Sequence, residues 1–154
     1  MLDEKYNVKI IDFGFSTKIP NERKIWIFCG TPSYMAPEIV EKKEYSGPPA
    51  DIWATGVLLY ALLCGTFPYK GSTDEELYAK ICACNPRMPD HLSQSAKEFL
   101  KVIFTYDPDI WPNAFDIMHE GWLNPTSISS CNSDSTMEVK IWWNPNDSLP
   151  LSDK

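Results

Sequence analysis

Asp12 is the residue in the first part of the chain best suited to chemistry. It ends the alternating run Val8-Lys9-Ile10-Ile11 and is followed by Phe13-Gly14. A carboxylate held at a strand end is a hard oxygen ligand, and Mg²⁺ is usually bound by one or two carboxylates together with substrate phosphates. Further on, Cys29-Gly30-Thr31-Pro32-Ser33-Tyr34-Met35-Ala36-Pro37-Glu38 gathers hydroxyls and one carboxylate into a single loop. Other candidates carry less. Cys82-Ala83-Cys84 is the close thiol pair, but no second Cys or His pair stands at zinc-finger spacing. Buried or surface thiols are therefore expected there rather than a metal. His119 has no companion ligand and reads as a cation in the last turn of a helix.

These residues need elements to position them. Val8 to Ile11 alternates like a short strand and delivers Asp12 to a turn at Gly14. A short helical turn follows Glu38, and Tyr45-Ser46-Gly47-Pro48-Pro49 reads as a breaker. The run Ala50 to Cys64 then predicts a helix with Asp51 in its first turn, Gly65 as C-cap, and no polar face, hence buried all round. A third helix is expected from about Glu75 to Cys82, capped by Ser72 or Thr73, with Asp74, Glu75 and Glu76 crowding its first turn. Those acids serve either as solvated helix-start charge or as contacts for basic residues of a substrate. Ser95 to Phe104 spaces Ala96, Phe99, Leu100 and Ile103 along one helical face, and a last helix spans Pro112 to His119.

Composition limits the function classes. A chain of 154 residues has room for one domain and a tail, and at 44% hydrophobic it can build a core. A net charge of −7 argues against nucleic-acid or anionic-membrane partners, whose phosphates require Lys and Arg. The longest apolar run, Val57 to Cys64, is far too short to span a bilayer. Five cysteines and no evident signal peptide imply reduced thiols, and so a cytoplasmic or nuclear setting.

Asp12-Phe13-Gly14 and Ala36-Pro37-Glu38, in this order and with Cys29-Gly30-Thr31-Pro32 between them, resemble the activation segment of eukaryotic serine/threonine protein kinases. The resemblance implies a mainly α fold: the large, C-terminal kinase lobe, truncated, with a short β-hairpin strand at the N-terminus. Residues 1–123 would form this partial domain and 124–154 a Ser/Asn-rich tail. It implies ATP and Mg²⁺ as cofactors, with Asp12 chelating the metal and Phe13 packing to set the active or inactive state. Thr31 would contact the catalytic Asp, while Gly30 and Pro32 shape the pocket beside the acceptor. Substrates would be proteins carrying Ser or Thr. Asp51 would bond the backbone of the catalytic loop. The Phe15 that follows Gly14 resembles kinases that prefer serine. The Asp-Phe-Gly-Phe-Ser and Cys-Gly-Thr-Pro runs place the resemblance nearest the calmodulin-dependent and AMP-activated branch.

Three departures stand out. The 154 residues contain no His-Arg-Asp triplet, glycine-rich loop or ATP-pairing Lys of the family's pattern. The expected reading is a kinase whose sequence here is incomplete, inactive by itself; the alternatives are a non-catalytic binding module or a decayed fragment. Where relatives carry a phosphorylated threonine the chain has Ile27, flanked by Trp26 and Phe28. The loop is then held by apolar packing of Ile25, Trp26 and Ile27, or is not regulated in this way. Where relatives carry the Arg that pairs with the last Glu of Ala-Pro-Glu, the chain has Trp111. Losing one partner of a buried pair typically costs about 3–5 kcal/mol, so Glu38 must reach water, find another donor, or take up a proton. The tail reads as a linker from Asn124 to Met137, followed by the apolar Lys140-Ile141-Trp142-Trp143, which packs back on the lobe, docks elsewhere, or has no role.

Overall fold

Gly47-Pro48-Pro49 forms the first turn of the helix that was expected to begin at Ala50. In the computed structural model, which describes residues 1–19 and 23–123, the longest element is Gly47–Cys64. Proline is tolerated in a first turn because the N–H it lacks has no intrahelical acceptor there. Two sequence-based expectations are corrected as a result. Asp51 lies beyond the first turn and is exposed, with its carbonyl accepting from the Thr55 hydroxyl at 2.8 Å. The helix is also not buried all round: Asp51, Thr55, Leu58 and Leu62 form a solvent-facing stripe, with Leu62 62% exposed. Gly65 ends the helix at φ 65°, its N–H donating to the Ala61 carbonyl, as expected of a left-handed cap.

The elements in chain order are a 3₁₀ turn at Pro32–Tyr34, α1 (Pro37–Val40), α2 (Gly47–Cys64), α3 (Asp74–Cys82), α4 (Gln94–Ile103), a second 3₁₀ turn at Pro108–Ile110, and α5 (Ala114–Met118). The mainly helical class is as expected, and each later helix has its own cap. Thr73 Oγ1 accepts from the Glu76 N–H at 3.3 Å to start α3, and Ser93 Oγ accepts from Ala96 at 3.2 Å to start α4. Asn113 Oδ1 accepts from Phe115 and Asp116, and the Asp116 carboxylate accepts from the Asn113 N–H in return. That reciprocal cap moves the start of α5 past Pro112 to Ala114.

The core lies between α2 and α4. Trp53 is fully buried, stacked on Tyr69 with ring centroids 6.0 Å apart and meeting Phe104 edge-on at 5.2 Å. Gly56 lets the two helices approach: a Cβ there would stand 2.5 Å from Cγ2 of buried Ile103. Ala96, Phe99, Leu100 and Ile103 are all buried, the face predicted for this helix. Met35, Ala36 and Val40 join the same core from the loop side.

The N-terminal strand is shorter than its alternation predicts. Leu2 and Val8 make a single antiparallel bridge, closed by a bond from the Lys9 N–H to the Met1 carbonyl at 2.8 Å. The Asp3 carboxylate accepts from the N–H groups of Lys5 and Asn7, each at 2.9 Å, and turns the chain back. Val8 and Ile10 are 78% and 82% exposed, and a strand with no face to bury gains little. No helix among the described residues is long and apolar enough to cross a membrane. The expectations for Asn124 to Met137 and for Lys140 to Trp143 fall outside the described residues.

Candidate functional site

Asp12 holds a left-handed backbone, φ 60°, which aspartate tolerates better than most residues. Its Oδ1 accepts from the Gly14 N–H at 3.2 Å, so the carboxylate closes its own turn. The side chain is exposed, and Phe13 beside it is 67% exposed rather than packed. Neither a hydrogen bond nor an ion pair joins Asp12 to the Cys29–Glu38 loop. As a cation site, the turn offers one hard carboxylate. Among the described residues no group of three His, Cys, Asp or Glu side chains gathers around a common point. Asp12 therefore fits Mg²⁺ as one ligand among several, with the remainder left to phosphate oxygens, water and other groups.

The second half of the site is built against the core. Gly30, at φ 115°, lets the chain turn into the 3₁₀ turn, and Thr31 stands exposed at its N-cap position without a side-chain capping bond. Pro32 starts it, and its carbonyl accepts from Met35 at 3.1 Å. Tyr34 meets Phe67 edge-on at 5.3 Å, and Met35, Ala36 and Pro37 are buried behind it. The loop's surface is thus an exposed hydroxyl and glycine on a buried apolar base.

Of the apolar packing expected for the preceding segment, only the Ile25 part is present among the described residues. Ile25 and Tyr45 exchange both backbone bonds, at 2.8 and 3.0 Å, and the Tyr45 hydroxyl donates to the Ile27 carbonyl at 2.9 Å. The Ile19 and Ile25 side chains lie over Gly47, where a Cβ would come within 2.5 Å of Ile19 Cδ1. Backbone pairing at Ile25 does the holding, while Trp26 and Ile27 stay 70% and 54% exposed. Lys42, at φ 56°, sets its ammonium 5.6 Å from the Phe28 ring centre. Sequence reading missed Tyr45, Gly47 and Lys42 as loop supports, because the partners lie about twenty residues apart and no local pattern announces them.

Glu38 lies at the start of α1 with both carboxylate oxygens buried and without a hydrogen-bond partner. Burial pushes its carboxyl upward from the ordinary carboxylate value, against the opposing pull of its own backbone N–H; the negative Glu41 adds to the shift and Lys43 opposes it. Among the described residues no side-chain donor replaces the missing partner, and desolvation raises the Glu38 carboxyl's affinity for a proton. Trp111 does not leave a hole. It is buried, its ring lies 5.3 Å from that of Trp53, and its Nε1 donates to the carbonyl and hydroxyl of Thr105 at 3.0 and 3.1 Å. Lys43 is engaged elsewhere, bonded to the Tyr106 hydroxyl at 2.9 Å and paired with Glu41.

The other candidates resolve simply. The Glu76 carboxylate is held down to about 2, first by its bond from Lys80 and then by Ser72, so it serves its own helix. His119 Nδ1 lies 2.8 Å from the Phe115 carbonyl, and its ring lies 4.1 Å from that of Phe115 at a tilt of 35°. Cys29, Cys64, Cys82 and Cys84 are free thiols.

Comparison with known proteins agrees with this arrangement. The family model described as protein kinase domain matches residues 1–123. The chain is similar to a probable serine/threonine-protein kinase, MARK-A, of Dictyostelium discoideum: 36% identical over 138 residues, 88% of this chain and 13% of that protein. It is similar also to the serine/threonine protein kinases OSK3 and OSK4 of Oryza sativa, each 42% identical over 144 residues, 92% of this chain and 28% of those proteins. The chain thus spans less than a third of the length of these relatives. With the paired triplets, the helical body and the family match in agreement, the chain belongs to the protein kinase domain family.

Proposed function

We propose that the chain is the part of a serine/threonine protein kinase that presents the protein substrate, the large lobe from the Asp-Phe-Gly turn to the last helix. The observation that carries this reading is the Cys29–Glu38 loop, which keeps Thr31 and Gly30 at the surface on a base of buried Met35 and Ala36. The names of the similar proteins support Ser or Thr as acceptor, and the Asp-Phe-Gly-Phe-Ser run supports the calmodulin-dependent and AMP-activated branch. Residues 1–123 form the partial domain, and the residues from 124 onward are its tail. In the whole enzyme Asp12 would be one ligand for Mg²⁺, which would supply neutralisation of phosphate charge; Thr31 would contact the catalytic Asp, and Gly30 and Pro32 would shape the acceptor pocket. The free thiols fit a cytoplasmic or nuclear setting.

Phosphoryl transfer depends almost wholly on positioning and charge neutralisation. One exposed carboxylate cannot align ATP with an acceptor, so a polypeptide of these residues alone is expected to be inactive. Incubation with Mg-ATP and a general substrate such as myelin basic protein tests this. Phosphate incorporation that disappears in Asp12→Ala would overturn it.

A second reading, a non-catalytic binding module, is favoured by Trp111. Its ring and Nε1 are fully used in the core, so the lobe's packing does without the family's Glu–Arg pair.

A further inference from the structure

The loop after α3 is pinned to the core from below. The Tyr60 hydroxyl of α2 donates to the Arg87 carbonyl at 2.5 Å. Cys84 takes a left-handed φ of 49°, and its thiol donates to the Ile81 carbonyl at 3.3 Å. Between this loop and α4 lies a cavity of about 340 Å³, with Cys84, Met88 and Phe104 as apolar lining and Asn85, Arg87 and Lys101 as its polar part. That volume is within the range of ligand-binding clefts, roughly 300–1,000 Å³.

Arg87, in the loop, and Lys101, on α4, are exposed and make no ion pair among the described residues. Two such cations over a sulfur-and-aromatic floor stand out on a chain of net charge −7. Burial pushes the Cys84 thiol up to about 11, so it stays neutral and lines the cavity without acting as a nucleophile. Free anions would use the two cations but not Met88 and Phe104. An apolar side chain alone would leave the cations without partners. An apolar residue with acidic neighbours uses both.

We propose that this cavity docks a segment of a partner protein in which an apolar side chain is flanked by acidic ones. The site is separate from the Asp12 turn and the Cys29–Glu38 loop, and it does not depend on phosphoryl transfer by this chain.

The test titrates the full chain against a fluorescein-labelled Gly-Glu-Leu-Glu-Gly peptide, read by fluorescence anisotropy. Saturable binding is expected, and the double variant Arg87→Glu/Lys101→Glu should weaken it by about tenfold or more. Both residues are exposed, so this variant keeps its core, and its far-UV circular dichroism should match the parent's. Lys5→Glu/Lys24→Glu makes the same change of charge elsewhere and should leave binding unaltered. Replacing Glu by Gln, or Leu by Ser, in the peptide should weaken binding as well. Undiminished binding to the double variant overturns the proposal, as does absence of saturable binding by the folded chain. If inorganic phosphate displaces the peptide while the Ser-containing peptide binds equally well, the cavity is a simple anion patch and the proposal also fails.

Discussion

Burial raises the proton affinity of Glu38 by more than its own backbone N–H lowers it, so folding and protonation are coupled at that residue. Its folded value lies above its unfolded value, so the native state binds the proton more tightly. The stabilisation this provides is complete below the ordinary carboxylate range and is lost as pH rises through the folded value. Asp3, Glu41 and Glu76, which the fold holds below that range, act in the opposite sense, so the comparison must be made between variants. Glu38→Gln keeps the shape and removes the charge. It is expected to melt no lower than the parent at neutral pH, with a gain of at most about 1 kcal/mol once solvent screening of a partly exposed group is allowed for. The difference should shrink as pH falls toward about 4. A lower melting temperature for Glu38→Gln at neutral pH would mean that the carboxylate has a donor. Trp111 meanwhile turns the family's ionic position into an aromatic one, so the two residues have each settled the loss in a different way.

At the scale of elements, the α2–α4 crossing is set by Gly56. Alanine is intrinsically better than glycine inside a helix by about 1 kcal/mol. Against that, its Cβ would press on Cγ2 of Ile103, which is 1% exposed and β-branched, and overpacking of this kind costs about 1–3 kcal/mol. The second effect wins: Gly56→Ala is expected to lower stability by roughly 1 kcal/mol, measured by urea denaturation with an unchanged m-value. A stabilised variant would show that α4 can shift away freely. Much of this architecture was legible beforehand. The buried face of α4, the Gly65 cap and the Thr73 start of α3 follow from spacing and cap chemistry that act within a few residues. Gly47-Pro48-Pro49 reads as leading into the helix, but the pattern places its start three residues late, at Ala50, because the same residues suit a break and a first turn alike. In the candidate site the motif named Gly30, Thr31 and Pro32, but not that Met35 and Ala36 would be buried beneath them. The Ile25–Tyr45 pairing and the ring beneath Lys42 were not readable either, since they depend on contacts made across the fold.

On the scale of the whole molecule, the core and the surface are unequally finished. The buried cluster runs from Met35 to Trp111, while Leu2, Val8, Ile10, Ile11, Phe13 and Phe15 all stand more than half exposed, as does Leu62 of α2. Exposed apolar surface of this kind marks places where other protein is accommodated. The chain is therefore expected to bind ANS strongly and yet to melt cooperatively, because the apolar surface lies outside an intact core. Strong ANS binding without a cooperative melt would sink the binding-module reading and favour a fragment that does not fold.

The aromatic cluster also has an optical consequence. Trp53 and Trp111 lie 5.3 Å apart with ring planes 38° from each other, in contact with Tyr69 and Phe104 on the Trp53 side. Indoles held that closely in a fixed, asymmetric arrangement give strong near-ultraviolet circular dichroism, a signal lost when fixed packing is lost even if helices persist. Trp26 is 70% exposed in the loop and contributes emission characteristic of indole in water. The near-ultraviolet band therefore reports on the packed interior. The chain has six tryptophans, so Trp26 is isolated as a reporter of the loop before Thr31 by the difference in emission between the parent and Trp26→Phe.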